Sequence, residues 1–187
     1  ILDFSKIEAG KFDIELDTIK LREFSENLIE LMASRAFGKG IGIALLISPS
    51  VPEKIISDPL RLRQALLNLI GNAVKFTEKG GVVLEIAAVE QGWIDFIVRD
   101  TGPGIPLREQ ERIFGEFEQA DAGSTRRHGG AGLGLAITRR IATAMDGTIT
   151  VASRKGNGAT FTLRLPLGSG EPGTNNRARL TNVQAAI

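Results

Sequence analysis

From Leu21 to Phe37 the apolar residues Leu21, Phe24, Leu28, Leu31 and Met32 recur at helical spacing, and Gly38 and Gly40 end the run. This predicts an amphipathic helix with one face on a core. Before it, Phe12, Ile14 and Leu16 alternate with polar neighbours and suggest a first strand. Ile41 to Ile47 reads as a buried strand, and Pro49 and Pro52 mark a turn before a short strand near Lys54 to Ser57. Asp58 as N-cap and Pro59 as first helical residue open a long helix reaching about Thr77. Past Gly80-Gly81, the alternating runs Val82 to Val89 and Trp93 to Arg99 predict an antiparallel hairpin. A Gly/Pro segment at 101–106 leads to a short helix around Leu107 to Phe114. The stretch 116–131 has no periodicity and is a long loop, and loops of that length usually carry function. A helix from Leu133 to Met145, closed by Asp146-Gly147, precedes strands at Thr148 to Ser153 and Ala159 to Leu165. The expected fold is α+β, a two-layer α/β sandwich with helices on one face of a mixed, mostly antiparallel sheet. At the ends, residues 1–9 read as the tail of a helix begun earlier, and 168–187 lose periodicity and bulk as a linker would.

Composition narrows the chemistry. The 187 residues hold no cysteine and one histidine, which excludes disulfide frameworks, zinc ribbons, thiol catalysis and multi-His metal centres. With 23 Lys and Arg against 22 Asp and Glu, the net charge of +1 argues against a domain whose main task is binding nucleic acid. No apolar run approaches the roughly 18 residues of a membrane helix. The chain opens on Ile1 without a signal-peptide pattern, and a piece of a longer protein is expected.

Three features carry candidate chemistry. On the helix at 59–77, Gln64, Asn68, Asn72 and Lys75 fall on one narrow stripe while leucines and isoleucines fill much of the rest. Asparagine is a poor helix former, so the amides either bond to neighbouring backbone or serve as ligands: a carboxamide oxygen suits Mg²⁺, and Lys75 suits a phosphate. In Asp100-Thr-Gly-Pro-Gly-Ile105, alternation with Ile94, Phe96 and Val98 puts Asp100 on the apolar face of its strand. A carboxylate there needs hydrogen-bond donors, which an exocyclic amino group such as adenine N6 supplies; Gly102 and Gly104 would let backbone approach a flat ligand. A tight turn in which Asp100 caps the next helix is the alternative. The third feature is Gly129-Gly-Ala-Gly-Leu-Gly134, a cluster of side-chain-free residues opening a helix, where backbone N–H groups and the positive helix end suit polyphosphate. It matches neither the dinucleotide-binding fingerprint nor the P-loop, since no G-K-[ST] occurs.

In this order, Asn68-Leu-Ile-Gly-Asn72-Ala-Val-Lys75-Phe-Thr77, Asp100-Thr-Gly-Pro-Gly104, Phe114-Gly-Glu-Phe117, Gly130-Ala-Gly132-Leu-Gly134-Leu and Gly156-Asn-Gly158-Ala-Thr160-Phe161 resemble the N, G1, F, G2 and G3 boxes of the catalytic domain of sensor histidine kinases. The resemblance spans about residues 1–167 and implies a Bergerat ATP-binding fold with a lid at about 116–131. It implies that ATP and Mg²⁺ are the cofactors, with Asn72 on the metal, Lys75 on phosphate and Asn68 beside them in catalysis. Asp100 reads adenine, with Gly102, Gly104 and Ile105 around the base and Thr160 lining the adenine side. Gly130, Ala131, Gly132, Leu133, Gly134 and Leu135 wrap the phosphates, Arg126 joins them from the lid, and Phe114 and Phe117 anchor that lid. Ala131 stands where the family usually has Thr or Ser, which removes one hydroxyl contact and leaves the backbone donors.

By the same resemblance, residues 1–10 are the end of the dimerisation and phosphoacceptor hairpin, 11–167 the catalytic domain and 168–187 a flexible tail that could lead to a receiver domain, as in hybrid kinases. His128 precedes the glycines, where the family often has an aromatic residue, and does not match the acceptor motif. The acceptor histidine is expected on a separate dimerisation domain, with a response-regulator receiver downstream. The fragment is expected to be monomeric, the parent a homodimer, and the location cytoplasmic, with a membrane anchor on the parent left open. Asn68 separates mechanisms: related ATPases carry there a glutamate that activates water, whereas an amide is no base at neutral pH. Phosphoryl transfer with weak hydrolysis is therefore expected; the alternatives are an ATPase or serine kinase of the same fold, or a nucleotide-binding signalling module without transfer.

Overall fold

The computed structural model describes residues 14–89, 92–115 and 132–168. Five strands form the main sheet in the order β2 (Gly42–Ile47), β4 (Gly81–Val89), β5 (Trp93–Asp100), β7 (Ala159–Pro166), β6 (Thr148–Ser153). Only β2 and β4 are parallel; the other pairings are antiparallel. A two-stranded antiparallel sheet joins β1 (Asp17–Lys20) to β3 (Lys54–Ser57).

Alternation along the central strands turns Val82, Leu84 and Ile86 of β4, Ile94, Phe96 and Val98 of β5, and Phe161, Leu163 and Leu165 of β7 into one buried face. Against it pack helix α1 (Leu21–Gly38) through Leu21, Phe24, Leu28 and Met32, α2 (Pro59–Phe76) through Leu62, Leu66, Leu69 and Ile70, and α4 (Gly134–Ala144) through Ile141 and Ala142. The mixed sheet with helices on one face is the α+β sandwich that the periodicities predict.

Asp58 starts α2 and also ties in the chain that precedes the core. Its Oδ1 accepts the N–H of Arg61 at 2.9 Å and its Oδ2 accepts the N–H of Glu15 at 3.0 Å, with the side chain buried. Loss of the cap and of a buried acceptor together predicts that Asp58→Ala lowers the unfolding free energy by about 1–3 kcal/mol, read by urea denaturation. At the other end of the helical layer α4 closes in a Schellman motif: Gly147 N–H bonds the Ala142 carbonyl at 2.8 Å and Asp146 N–H that of Thr143 at 3.1 Å, with Asp146 at φ 55°.

Three local expectations shift. The first strand is Asp17–Lys20, not the alternating run through Ile14 and Leu16; residues 14–16 are held by the Asp58 carboxylate instead of a ladder, and Leu16 is 40% exposed. The run Ile41 to Ile47 is an edge strand, alternately exposed, because the helices cover only one face of the sheet; Leu46 on the other face is 56% exposed. The helix expected at Leu107 to Phe114 divides into α3 (Leu107–Gln110) and a 3₁₀ turn (Arg112–Phe114) ending at Gly115. The glycine-rich loop at 116–131 and both chain ends lie outside the described residues.

Candidate nucleotide site

The polar stripe of α2 and the start of α4 meet. Asn68 Nδ2 donates to the Gly134 carbonyl at 3.2 Å and reaches Thr138 Oγ1 at 3.5 Å, while the buried Thr138 hydroxyl donates back to Gly134 O at 2.9 Å. A Cβ on Gly134 would lie 3.7 Å from Asn68 Oδ1 and 3.9 Å from Asn72 Nδ2, so both amides face the first residue of α4. Leu133, the N-cap of that helix, makes no side-chain cap bond, so it leaves the N-terminal N–H groups of α4 uncapped by its own side chain. The amide of Asn68 is thus spent on backbone, whereas Asn72 takes part in none of these bonds. Lys75, one turn on, holds its ammonium 4.8 Å over the Phe76 ring.

At the far end of α2 stands Asp100. Its Oδ1 accepts the N–H groups of Gly102 at 2.8 Å and Ala159 at 3.2 Å. Burial raises its pKa above the ordinary 3.8, with the two backbone donors pulling the other way. Asp100 Oδ2 accepts no hydrogen bond from the described residues and remains available to a donor. A Cβ on Gly102 would lie 3.3 Å from the Phe76 carbonyl, which places the Asp100 turn at the end of α2. From Asn68 to Phe76 the helix rises about 12 Å. One end of this span offers backbone N–H donors and two amides; the other offers a half-buried carboxylate.

The turn at 101–106 is held rigid by the β6–β7 connection. Gly158 N–H bonds Gly102 O at 3.0 Å and Gly156 N–H bonds Pro103 O at 2.6 Å. Ser153 Oγ accepts Ile105 N–H at 2.8 Å and donates to Gly158 O at 2.6 Å, while Gln110 Nε2 donates to Ile105 O and Ser153 O at 2.9 and 2.8 Å. Both backbone groups of Ile105 are thereby fixed.

One expectation about this turn gains a second cause and another is corrected. Gly102 and Gly104 clear space for the chain's own atoms: at φ 69°, a Cβ on Gly104 would overlap the carbonyl of Arg154, and one on Gly102 would press on Asp100 Oδ1. Thr160 does not share the side of Asp100. It pairs with exposed Arg99 and lies on the uncovered face of the sheet, while Ala159 is the residue turned toward Asp100. The side-chain period of a strand is two residues, so a shift of one position changes faces.

Of the other expected residues, Phe114 is buried with its ring edge-on to Phe161, centroids 6.3 Å apart. Gly132, Leu133 and Leu135 flank the start of α4 with Gly134. Phe117, Arg126, Gly130 and Ala131 lie outside the described residues. Ser153, Gln110 and Ala159 were not among the expected residues. Only Ala159 had a signal, its alternation with Phe161, since Ser and Gln are ordinary in turns and short helices. Among the described residues no group of three His, Asp or Glu side chains could hold a metal. A Mg²⁺ ion would fit only as a shared ligand of Asn72 Oδ1, bound phosphate and water, in the manner usual for that ion.

A Bergerat-type nucleotide-binding domain is the class that this sandwich and site define. Residues 57–169 match the family model described as histidine kinase-, DNA gyrase B-, and HSP90-like ATPase, and the chain belongs to that family. Its relatives include the signal transduction histidine-protein kinase BarA of Escherichia coli K12, 44% identical over 171 residues. That match covers 89% of this chain and 19% of BarA, so the chain spans about a fifth of the relative's length. Among solved structures, full-length ShkA in complex with AMPPNP is 41% identical with a TM-score of 0.82, covering 91% of this chain and 35% of that one. The catalytic domain of the histidine kinase ThkA, 25% identical, gives a TM-score of 0.70 over 82% of this chain and 98% of its own. The chain is an ATP-binding domain of the sensor histidine kinase type.

Proposed function

We propose that this chain is the donor half of a two-component kinase: it binds Mg·ATP and delivers the γ-phosphoryl group to a histidine on a dimerisation domain outside residues 14–168. The observation that carries the reading is the docking of Asn68 and Asn72 on the first residue of α4. That contact brings an amide stripe and a cation to the N-terminal backbone donors of α4, and no carboxylate stands at position 68 to activate water. Asp100 takes the adenine amino group on Oδ2, with Ile105 against the base. Gly132 to Leu135 receive the phosphates, and Lys75 reaches them as a point charge. Bound Mg²⁺, held through Asn72, would neutralise charge on the phosphates. In the transfer step an imidazole nitrogen attacks the γ-phosphorus, the bond to the bridging oxygen breaks, and ADP leaves with that electron pair. The protein's part is positioning and charge stabilisation.

Phe117, Arg126, Gly130 and Ala131 complete the lid side of this reading. The partners are the dimerisation domain, expected at the N-terminal side of residues 1–10, and a receiver domain beyond 168–187. Use of ATP supports a cytoplasmic location for the domain, with any membrane anchor belonging to the parent protein. The test is incubation with a separate acceptor hairpin and γ-labelled ATP. Acid-labile label on histidine, removed by Asn72→Ala, is the expected result. Fast ATP hydrolysis by the chain alone, also removed by Asn72→Ala, would show an ATPase instead.

A further inference from the structure

The turn at 101–106 has no ladder of its own, yet both backbone groups of Ile105 are bonded to side chains, which come from two different elements. Ser153 Oγ, at the end of β6, accepts the Ile105 N–H at 2.8 Å, and Gln110 Nε2, at the end of α3, donates to the Ile105 carbonyl at 2.9 Å. A carboxamide nitrogen carries two hydrogens. The second goes to the Ser153 carbonyl at 2.8 Å, so Gln110 spends both donors and ties α3, the turn and β6 together at one atom. The amide cannot be reversed, because its oxygen would then face two carbonyl oxygens. No other described residue bonds the Ile105 carbonyl.

The same strand end reaches Asp100. Ser153 pairs with Ala159 in the β6–β7 register, and the Ala159 N–H bonds Asp100 Oδ1 at 3.2 Å. Ser153 Oγ gives its own hydrogen to the neighbouring Gly158 carbonyl at 2.6 Å. The carboxylate at one end of the turn and Ile105 near the other are therefore held to one frame, the Ser153–Ala159 pair. Gln110 closes that frame on the Ile105 side.

We propose that Gln110 is a positioning residue of the base pocket. By holding the Ile105 carbonyl to Ser153 it sets how far Ile105 stands from Asp100, and with it the gap that a flat purine has to fill. The inference rests on the reading of Asp100 and Ile105 as the base site. Gln110 touches no ligand itself and acts through the backbone of residue 105.

Gln110→Met keeps the length of the side chain and removes both donors. Ile105 then loses one anchor while Asp100 keeps its own, so adenosine and ATP weaken by the same factor, about two- to tenfold, the worth of one hydrogen bond. GTP weakens less, because Asp100 offers the guanine carbonyl no donor, and the ratio of ATP to GTP affinity falls. Calorimetric titration of the 187-residue chain and the variant with the three ligands reads this, and thermal melts show that each is folded. Unchanged affinity for adenosine, a larger loss for ATP than for adenosine, or an equal loss for ATP and GTP would overturn the proposal; the last pattern is what a loosened domain gives. Should Gln110→Met not fold, NMR on the wild-type chain decides. Adenosine is expected to slow hydrogen exchange at the Gln110 carboxamide, and an unchanged rate would sink the idea. Failure of the wild-type chain to bind adenosine or ATP would be a separate result, against the nucleotide reading itself.

Discussion

Asp100→Asn binds ATP about 10- to 150-fold more weakly than the wild-type chain, the equivalent of losing one hydrogen bond to a charged group worth about 1.5–3 kcal/mol. The asparagine keeps an oxygen for the N–H groups of Gly102 and Ala159, which both bond Oδ1. The group that replaces Oδ2 then becomes an NH₂, so a donor faces the adenine amino group where an acceptor stood. Toward a guanine carbonyl the same NH₂ is complementary, and the ratio of GTP to ATP affinity rises. Titration with both nucleotides measures this, and equal ATP affinity in the variant would remove Asp100 from the base site.

The same substitution does not lower thermal stability at pH 7, because burial makes the charged carboxylate unfavourable in the folded chain. Its folded pKa lies above the ordinary 3.8. The folded state thus holds the proton more tightly than the unfolded chain, so the stability contribution of Asp100 is complete below pH 3.8 and is lost as pH rises through the folded value. Affinity for ATP runs the opposite way across that window, since only the carboxylate accepts on both oxygens. Titrations from pH 4 upward that show ATP affinity falling as the carboxylate forms would contradict the assignment.

Gly158→Ala destabilises the fold by about 2–5 kcal/mol, from the left-handed backbone and the overpacking together. Gly158 has φ 71°, and a Cβ there would overlap the carbonyl of Asp100. The methyl group must push the β6–β7 turn and the 101–106 turn apart, breaking the bond from Gly158 N–H to Gly102 O. Loss of nucleotide affinity accompanies the loss of stability, even though no atom of residue 158 is proposed to touch the ligand. Chemical denaturation reads the first effect and ATP titration the second; a variant as stable as wild type would mean that the turn yields freely.

The contrast between Asp100 and Thr160 shows how far periodicity reaches. Ile94, Phe96 and Val98 share a face, and Asp100 follows them onto it, so the burial of that carboxylate is legible from one strand alone. The same rule applied to Ala159 and Phe161 puts Thr160 on the open face; reading the motif by its threonine, without its strand alternation, misplaced it. Edge position was likewise hidden. Ile41 to Ile47 is as apolar as a central strand, and only the pairing order shows that β2 has one neighbour and one bare face.

The sequence by itself determined most of the elements, the Asp58 and Asp146-Gly147 caps, the amide stripe on α2, the side on which Asp100 lies and the class of site, because each depends on residues within a few positions of one another or on motifs in order. The tertiary structure alone decided what those groups touch: that the Asn68 amide is bound to α4, that the glycines of the 101–106 turn clear space for the β6–β7 connection, and that Lys39 caps a helix 35 to 38 residues away. Hydrogen bonds over such separations follow from how elements pack. An isolated lysine next to a glycine carries no mark of the carbonyls it will meet.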